Sequence, residues 1–534
     1  MNSRLRAELA AFEREGANRT MKNRTLIKNA KIYDGTGSKP FYGDVLIEGE
    51  LISKVGRFID APDAEVVDGE GKILTPGFIN CHSHCELHPF YNPQMLQSVA
   101  QGITTELIGQ DGLSVAPVSA DDAAELTENM TCLCGKADKP FWWRSHADYM
   151  KLVEEANPAC RFVGLLGSGT VRMNVMGSEN RPATPEEIKK MQDVIEQGMR
   201  EGARGISFGL IYPPSSYAST EEMCEVCKAV AKHDGIIMVH LRSEMDGLLE
   251  SFEEMVRVMK ESGARLEISH LKSLGPKNWG TVLKILDRME ELQNEGYDIG
   301  FDQYPWNAGS TGLKATVPGW AYSGGEDAFE ARLADPAEYK KIYEETAKIL
   351  HNRGDGERVQ IATVPFSTED FSWMPGLRLD AVAKRLGMDE PAAALYILSK
   401  TRSSVICVYH SISEDDVRAV MRSPYHVVCT DGIIGSVPHP RAYSTYPRFL
   451  GRYVRDLDVM PLETAINHIT GEPARRLRLW DRGLVREGLS ADLVLFDYDR
   501  MIDTNSYTDP KKLPEGICTV WVRGTVRYDE SMKQ

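Results

Sequence analysis

Residues 73–84 read ILTPGFINCHSH: a short apolar run that ends in two histidines, His82 and His84, placed two residues apart. In a strand that spacing points both imidazoles to one side, where they can share one metal ion. The same design recurs along the chain. ITTELIGQD (103–111) ends in Asp111, GIIMVH (235–240) in His240, RLEISH (265–270) in His270 and YHVVCTD (425–431) in Asp431. Each run has strand length and is rich in β-branched residues, and each delivers a side chain that can bind or serve a metal. Strand after strand offering a polar residue at its C-terminal end is how a (β/α)8 barrel builds an active site.

The segments between these runs supply the helices. TPEEIKKMQDVIEQGMREG (184–202) places Thr184 at an N-cap and Pro185 at the first helical position, and ARGISFGL (203–210) follows as a strand. TEEMCEVCKAVAKHDG leads to His240 and LLESFEEMVRVMKESG to His270, which is the βα register of a parallel barrel. Both chain ends have another texture. Short strands with Gly and Asp turns fill 21–74 and 479–534, and the two stretches are expected to form one small β-sandwich around a barrel at 75–478. Residues 312–357 break the alternation with charged helices and are expected to form a lid over the mouth. The strand count stays ambiguous, because VQIATV and SSVICVYH also look extended. Residues 1–20 read as a short polar helical extension.

The 534 residues are enough for a barrel plus an appended module, and 26% charged with 42% apolar residues is ordinary for a globular chain. A net charge of -16 argues against nucleic acid or an anionic membrane as partner, and it requires a local cationic clamp if the substrate is an anion. No apolar stretch reaches membrane-spanning length and the N-terminus lacks the apolar core of a signal peptide, so the cytoplasm is expected. Ten scattered cysteines suit a reducing compartment. The Cys224/Cys227 and Cys132/Cys134 pairs read as incidental. Trp306 and the Phe141–Trp143 cluster read as packing residues.

His240 and His270 follow consecutive strands, and three or four such ligands with an open position describe catalytic zinc. Asp431 fits a base that takes a proton from water. At this point the chain resembles the amidohydrolase superfamily, and within it the D-aminoacylases, the N-acyl-D-amino-acid deacylases. The likeness runs from about Thr25 to the C-terminus through GFINCHSHCE, GITTELIGQDGLSVAP, GLIYPPSSYAS, VHLRSE, ISHLKSLG, DQYPWNAGST, TDG and PHPR. The resemblance implies one or two zinc ions held by His82, His84, His240 and His270, with Asp431 as general acid/base. It implies that Lys272, Tyr304, Ser310 and Arg441 hold the substrate carboxylate, and that Tyr212 polarises the scissile carbonyl. The implied reaction is removal of the acyl group from an N-acyl-D-amino acid by metal-activated water.

Two positions depart from the family pattern. Gln110-Asp111-Gly112 stands where better-known members carry a cysteine ligand in an Asn-Cys-Gly context, which makes Asp111 the expected ligand. Glu86 stands two residues after His84, where Asp is usual, and is expected to act as an acceptor behind the ligands. RGISFGL carries no lysine, whereas hydantoinases use a carboxylated lysine there, so Asp111 is the expected bridge between two metals. Two other readings stay open: a hydrolase of another carboxylated amide or cyclic amide on the same scaffold, and a non-catalytic scaffold.

Overall fold

The computed structural model describes residues 24–119, 123–134 and 143–533. The expected helix at 1–20 lies outside the described residues, as do Phe141, Trp142 and the side chains of Cys132 and Cys134.

Eight parallel strands form the barrel. They are β1 (Phe78–Asn80), β2 (Ile103–Ile108), β3 (Arg161–Gly164, continued by Leu166–Gly167), β4 (Gly205–Gly209), β5 (Ile236–His240), β6 (Arg265–Ile268), β7 (Ile299–Gln303) and β8 (His426–Val428). Each pairs in parallel with the next from β1 to β8. Most of their residues are buried on both faces, as helices outside and side chains inside require. The ring closes between β8 and β1. Tyr446 donates its hydroxyl to the carbonyls of Ile79 and Val428 at 2.9 and 3.2 Å, and a parallel bridge joins Ser83 to Gly432.

The helices follow from the sequence pattern. Pro185–Arg200 starts at a capping box formed by Thr184 and Glu187, and buries Met191, Ile195 and Gly198 at helical spacing against the barrel wall. Cys224 and Cys227 are buried in the core along Thr220–Ala231.

Both chain ends build one eight-stranded sheet, joined where Ile73–Pro76 runs antiparallel to Leu493–Phe496. Ile27, Ile47, Leu74, Leu493 and Trp521 form its core. Ile73–Pro76 leads through Gly77 straight into β1, so this sheet anchors the strand that carries His82 and His84.

Between β7 and β8 lies an inserted unit with its own core, including Leu313, Phe329, Ile342, Leu350 and Leu395. It reaches beyond 312–357. Gly309–Gly312 and Val359–Thr363 both pair antiparallel with Ile406–Tyr409, so the two extended runs that blurred the strand count form a separate sheet outside the barrel. Among the described residues, no helix is long and apolar enough to cross a membrane.

Candidate metal centre and active site

The residues expected as ligands meet at the C-terminal ends of the barrel strands, and several sit on unusual backbone. Asp111, His270 and Asp431 have φ of 55, 37 and 46°, in the left-handed region that non-glycine residues seldom adopt. Strain of this kind concentrates at functional sites and persists only where surroundings enforce it. Here they do. The Asp431 amide donates to the His82 carbonyl at 2.9 Å and the His270 amide to Asp302 Oδ1 at 2.8 Å. Asp111 is held in a turn whose next residue, Gly112, has φ 77°, and a Cβ there would lie 2.8 Å from the Gly209 nitrogen. Glu86 braces the same turn by accepting the Gly109 N–H at 3.0 Å.

The side chains converge on Asp111. Its Oδ1 lies 3.7 Å from His82 Nε2, 3.6 Å from His270 Nε2 and 3.9 Å from His240 Nδ1, while Oδ2 lies 3.6 Å from His84 Nε2. Asp431 Oδ1 faces His82 Nε2 at 3.7 Å and His84 Nε2 at 3.3 Å. Two ligand groups result, His82–His84–Asp111–Asp431 and Asp111–His240–His270, each with its donor atoms within 4.8 Å of one another. Donors about 2.0–2.2 Å from a tetrahedral zinc stand about 3.3–3.6 Å apart, close to these spacings. Asp111 belongs to both groups, as a bridge between two ions would.

Charge and hydrogen bonding also fit a cation. Both ring nitrogens of His82 and His240, and Asp111 Oδ1, are buried without a hydrogen-bond partner, a state that native structures rarely tolerate. Four buried carboxylates (Asp111, Glu244, Asp302, Asp431) face three buried cations, Lys272, Arg353 and Arg441, and the carboxylates remain in excess, as suits a bound cation. Burial pushes the His240 imidazole down to about 3, so it is neutral, the form that ligates metal. Burial also pushes His84 down, but Asp111 and Asp431 outweigh it and carry that imidazole up to about 9. A proton there supplies charge that a metal would otherwise bring. Burial alone would raise the Asp431 carboxyl; Arg441 Nη1, 2.8 Å from Oδ2, together with His82 and His84 holds it well below the usual carboxylate range. Asp431 is therefore ionised.

Two residues behind the ligands were not anticipated in these roles. Asp302 Oδ2 lies 3.7 Å from His82 Nδ1 and orients that ring. Glu244 lies 3.2 Å from His270 Nδ1 and 3.5 Å from His240 Nε2 and pairs with Lys272. Glu86, expected behind the ligands, acts instead through the Asp111 turn. The signals were present, since Asp302 follows an apolar run and Glu244 closes VHLRSE, but only the folded barrel assigns their partners.

A cavity opens on the cluster. Tyr212, Lys272, Tyr304 and Ser310 all line it, beside His84, Asp111, His240, His270 and Asp431. The Tyr304 hydroxyl is buried without a hydrogen-bond partner, and two cations approach its ring, the Arg441 guanidinium at 4.3 Å and Lys272 Nζ at 6.0 Å. Ser310 donates to the Cys407 carbonyl at 2.9 Å, and Arg441, fully buried beneath the cavity, donates to the Ser310 carbonyl at 3.0 Å. Lys272 directs its donors to Glu244 and His270. Tyr212 stacks edge-on to His240 with centroids 5.2 Å apart and shares a 2.6 Å hydrogen bond with Thr311. Burial, then Asp111, pushes its phenol well up, so it stays protonated and can donate. Trp306 packs under Arg448 and against His439, and Trp143 stacks on Phe90.

A buried His–Asp cluster carried by five of the eight strand ends around an open cavity defines a metal-dependent hydrolase site on a (β/α)8 barrel. The sequence profile described as amidohydrolase family matches residues 65–528, and the chain belongs to that family. It is 31% identical to the N-acyl-D-aspartate deacylase of Alcaligenes xylosoxydans xylosoxydans, covering 94% of this chain and 92% of that one. It is 30% identical to the D-aminoacylase of the same organism, with 95% and 94% covered. The crystal structure of N-acyl-D-glutamate deacylase from Bordetella bronchiseptica, complexed with zinc and a phosphonate mimic of the tetrahedral intermediate, superposes with a TM-score of 0.81 at 26% identity. That match covers 95% of this chain and 97% of the other.

Proposed function

We propose that this protein is a zinc-dependent amidohydrolase that removes the acyl group from N-acyl-D-amino acids. The observation that carries the reading is the content of one site: a shared Asp111 among four histidines, and an unpartnered Tyr304 hydroxyl on a ring that two cations approach. The named activities of the relatives, which act on N-acyl-D-aspartate or are D-aminoacylases, point the same way.

His82, His84, Asp111, His240 and His270 would hold one or two zinc ions. When bound, zinc supplies Lewis acidity toward the water and the scissile carbonyl. Asp431, kept ionised, takes a proton from the attacking water and returns it to the departing amine. Tyr212 donates a hydrogen bond to the carbonyl oxygen as charge develops there. The substrate carboxylate sits at the Tyr304 hydroxyl in the field of Lys272 and Arg441, with Ser310 at the rim. Fixing both the carboxylate and the amide orients the α-carbon and selects one enantiomer. The substrate is a small molecule rather than a nucleic acid, in keeping with a net charge of -16. A cytoplasmic location accords with eight described cysteines that are free thiols, seven of them buried.

The test is a panel of N-acetyl-D- and N-acetyl-L-amino acids and the α-amides of the D forms, assayed with added Zn²⁺. The D acids should be cleaved, and the L forms and amides should be slower by about tenfold or more, the scale of a charge-assisted hydrogen bond. Equal rates on acid and amide, or preference for the L form, would overturn the reading.

A further inference from the structure

Arg353 ends the helix Pro336–Arg353 of the inserted unit and lines the same cavity as His84, Asp111 and Lys272. It is 6% exposed, and a guanidinium that deeply buried ordinarily has an acidic partner. Arg353 has none among the described residues. Its Nε lacks a hydrogen-bond partner, Nη2 makes one long bond of 3.4 Å to the Ala315 carbonyl, and its guanidinium lies 4.8 Å over the Tyr409 ring. The other cations of the site are engaged, Lys272 with Glu244 and Arg441 with Asp431. Arg353 is thus the cation at this cavity that no carboxylate among the described residues pairs.

Lys272 and Tyr304 follow barrel strands β6 and β7, whereas Arg353 and Tyr409 come from the inserted unit. Leu133, Leu274 and Ile433 line the cavity as well, so it combines apolar wall with a planar cationic fork. Methylene groups suit such a wall, and a carboxylate suits such a fork because two parallel N–H groups can meet its two oxygens.

We propose that Arg353 is a specificity residue that takes the side-chain carboxylate of an N-acyl-D-amino acid of the D-glutamate type. The inference rests on the deacylase reading above and adds the side chain that reading left open. Desolvating Arg353 without an anion is costly, and binding an acidic side chain relieves that cost, whereas a neutral isostere does so only in part.

The test measures kcat/KM of the zinc-loaded enzyme on N-acetyl-D-glutamate, N-acetyl-D-glutamine and N-acetyl-D-methionine, for wild type, Arg353→Met and Arg353→Lys. Zinc content and the thermal unfolding midpoint serve as fold controls. Wild type should prefer glutamate to glutamine by about tenfold or more, Arg353→Met should lose most of that ratio, and Arg353→Lys should keep part of it. A wild-type ratio near one overturns the proposal while leaving the deacylase reading intact. So does an Arg353→Met variant that slows both substrates alike, which would place Arg353 on the α-carboxylate instead. Should Arg353→Met fail to fold, the wild-type ratio and Arg353→Lys decide. Hydrolysis of none of the D substrates overturns the deacylase reading, and this inference with it.

Discussion

At the N-terminal end of the barrel, Arg476 enters from the helix Gly471–Arg476 with its side chain 3% exposed, and each of its nitrogens meets a partner. Nε pairs with Glu267, Nη1 bonds Asp298 at 2.6 Å and Nη2 bonds the Leu266 carbonyl at 2.7 Å. The Glu267 carboxyl, pushed up to about 8 by burial, is offset only partly by this pairing. At the C-terminal end the charges are as deeply buried, yet ring nitrogens of His82 and His240, Asp111 Oδ1, the Tyr304 hydroxyl and Arg353 Nε have no hydrogen-bond partner. The first end pairs Arg476 with carboxylates of the chain itself, although Arg476 Nε and both Glu267 oxygens also lack a hydrogen bond there. The other leaves its valences open, on backbone held at positive φ at Asp111, His270 and Asp431. Open, buried valences gathered around one cavity are the physical mark of a site that expects a metal and a substrate.

Breaking each end should give opposite signatures. The largest effect is expected from Asp431→Asn, which keeps shape but removes the base. Turnover should fall by about 10² to 10⁴-fold with zinc content and unfolding midpoint near wild type. A loss under tenfold would take Asp431 out of the mechanism. Next, Arg476→Ala at the N-terminal end leaves Glu267 buried without its cation and should lower unfolding free energy by about 3–5 kcal/mol. Denaturant titration measures this, and activity per folded molecule should stay within about twofold of wild type. Unchanged stability there would mean that the N-terminal end is no clasp. A smaller change is expected from Asp302→Asn, which loosens the hold on His82. Zinc affinity should drop by about 10- to 100-fold, read by competition with a chromogenic chelator, with the fold retained. Wild-type affinity in that variant would show that the 3.7 Å approach of Asp302 to His82 does not orient the ring.

The open end was the more legible of the two in the sequence. His82, His84, His240 and His270 each end a short β-branched run, and that local pattern sets both strand and ligand. Asp111 could be read because it closes ITTELIGQD at the place where better-known family members carry a cysteine ligand. The partners behind these residues were not legible. Nothing local in VHLRSE says that Glu244 will reach both His270 and Lys272, and a charged helix end such as Arg353 looks like any solvated surface until the inserted unit folds over the mouth. The inserted sheet was obscured for a related reason. VQIATV and SSVICVYH have the composition of barrel strands, and only their antiparallel pairing, fixed by distant Gly309–Gly312, removes them from the barrel.

The central claim is that the convergence on Asp111 is a metal centre the reaction needs. It is tested most directly by measuring bound metal in the purified protein together with activity on N-acetyl-D-amino acids before and after chelation. One or two zinc ions per chain are predicted, with activity lost on chelation and restored by Zn²⁺, and with Asp111→Ala retaining markedly less metal. Protein that is metal-free and fully active would contradict the account.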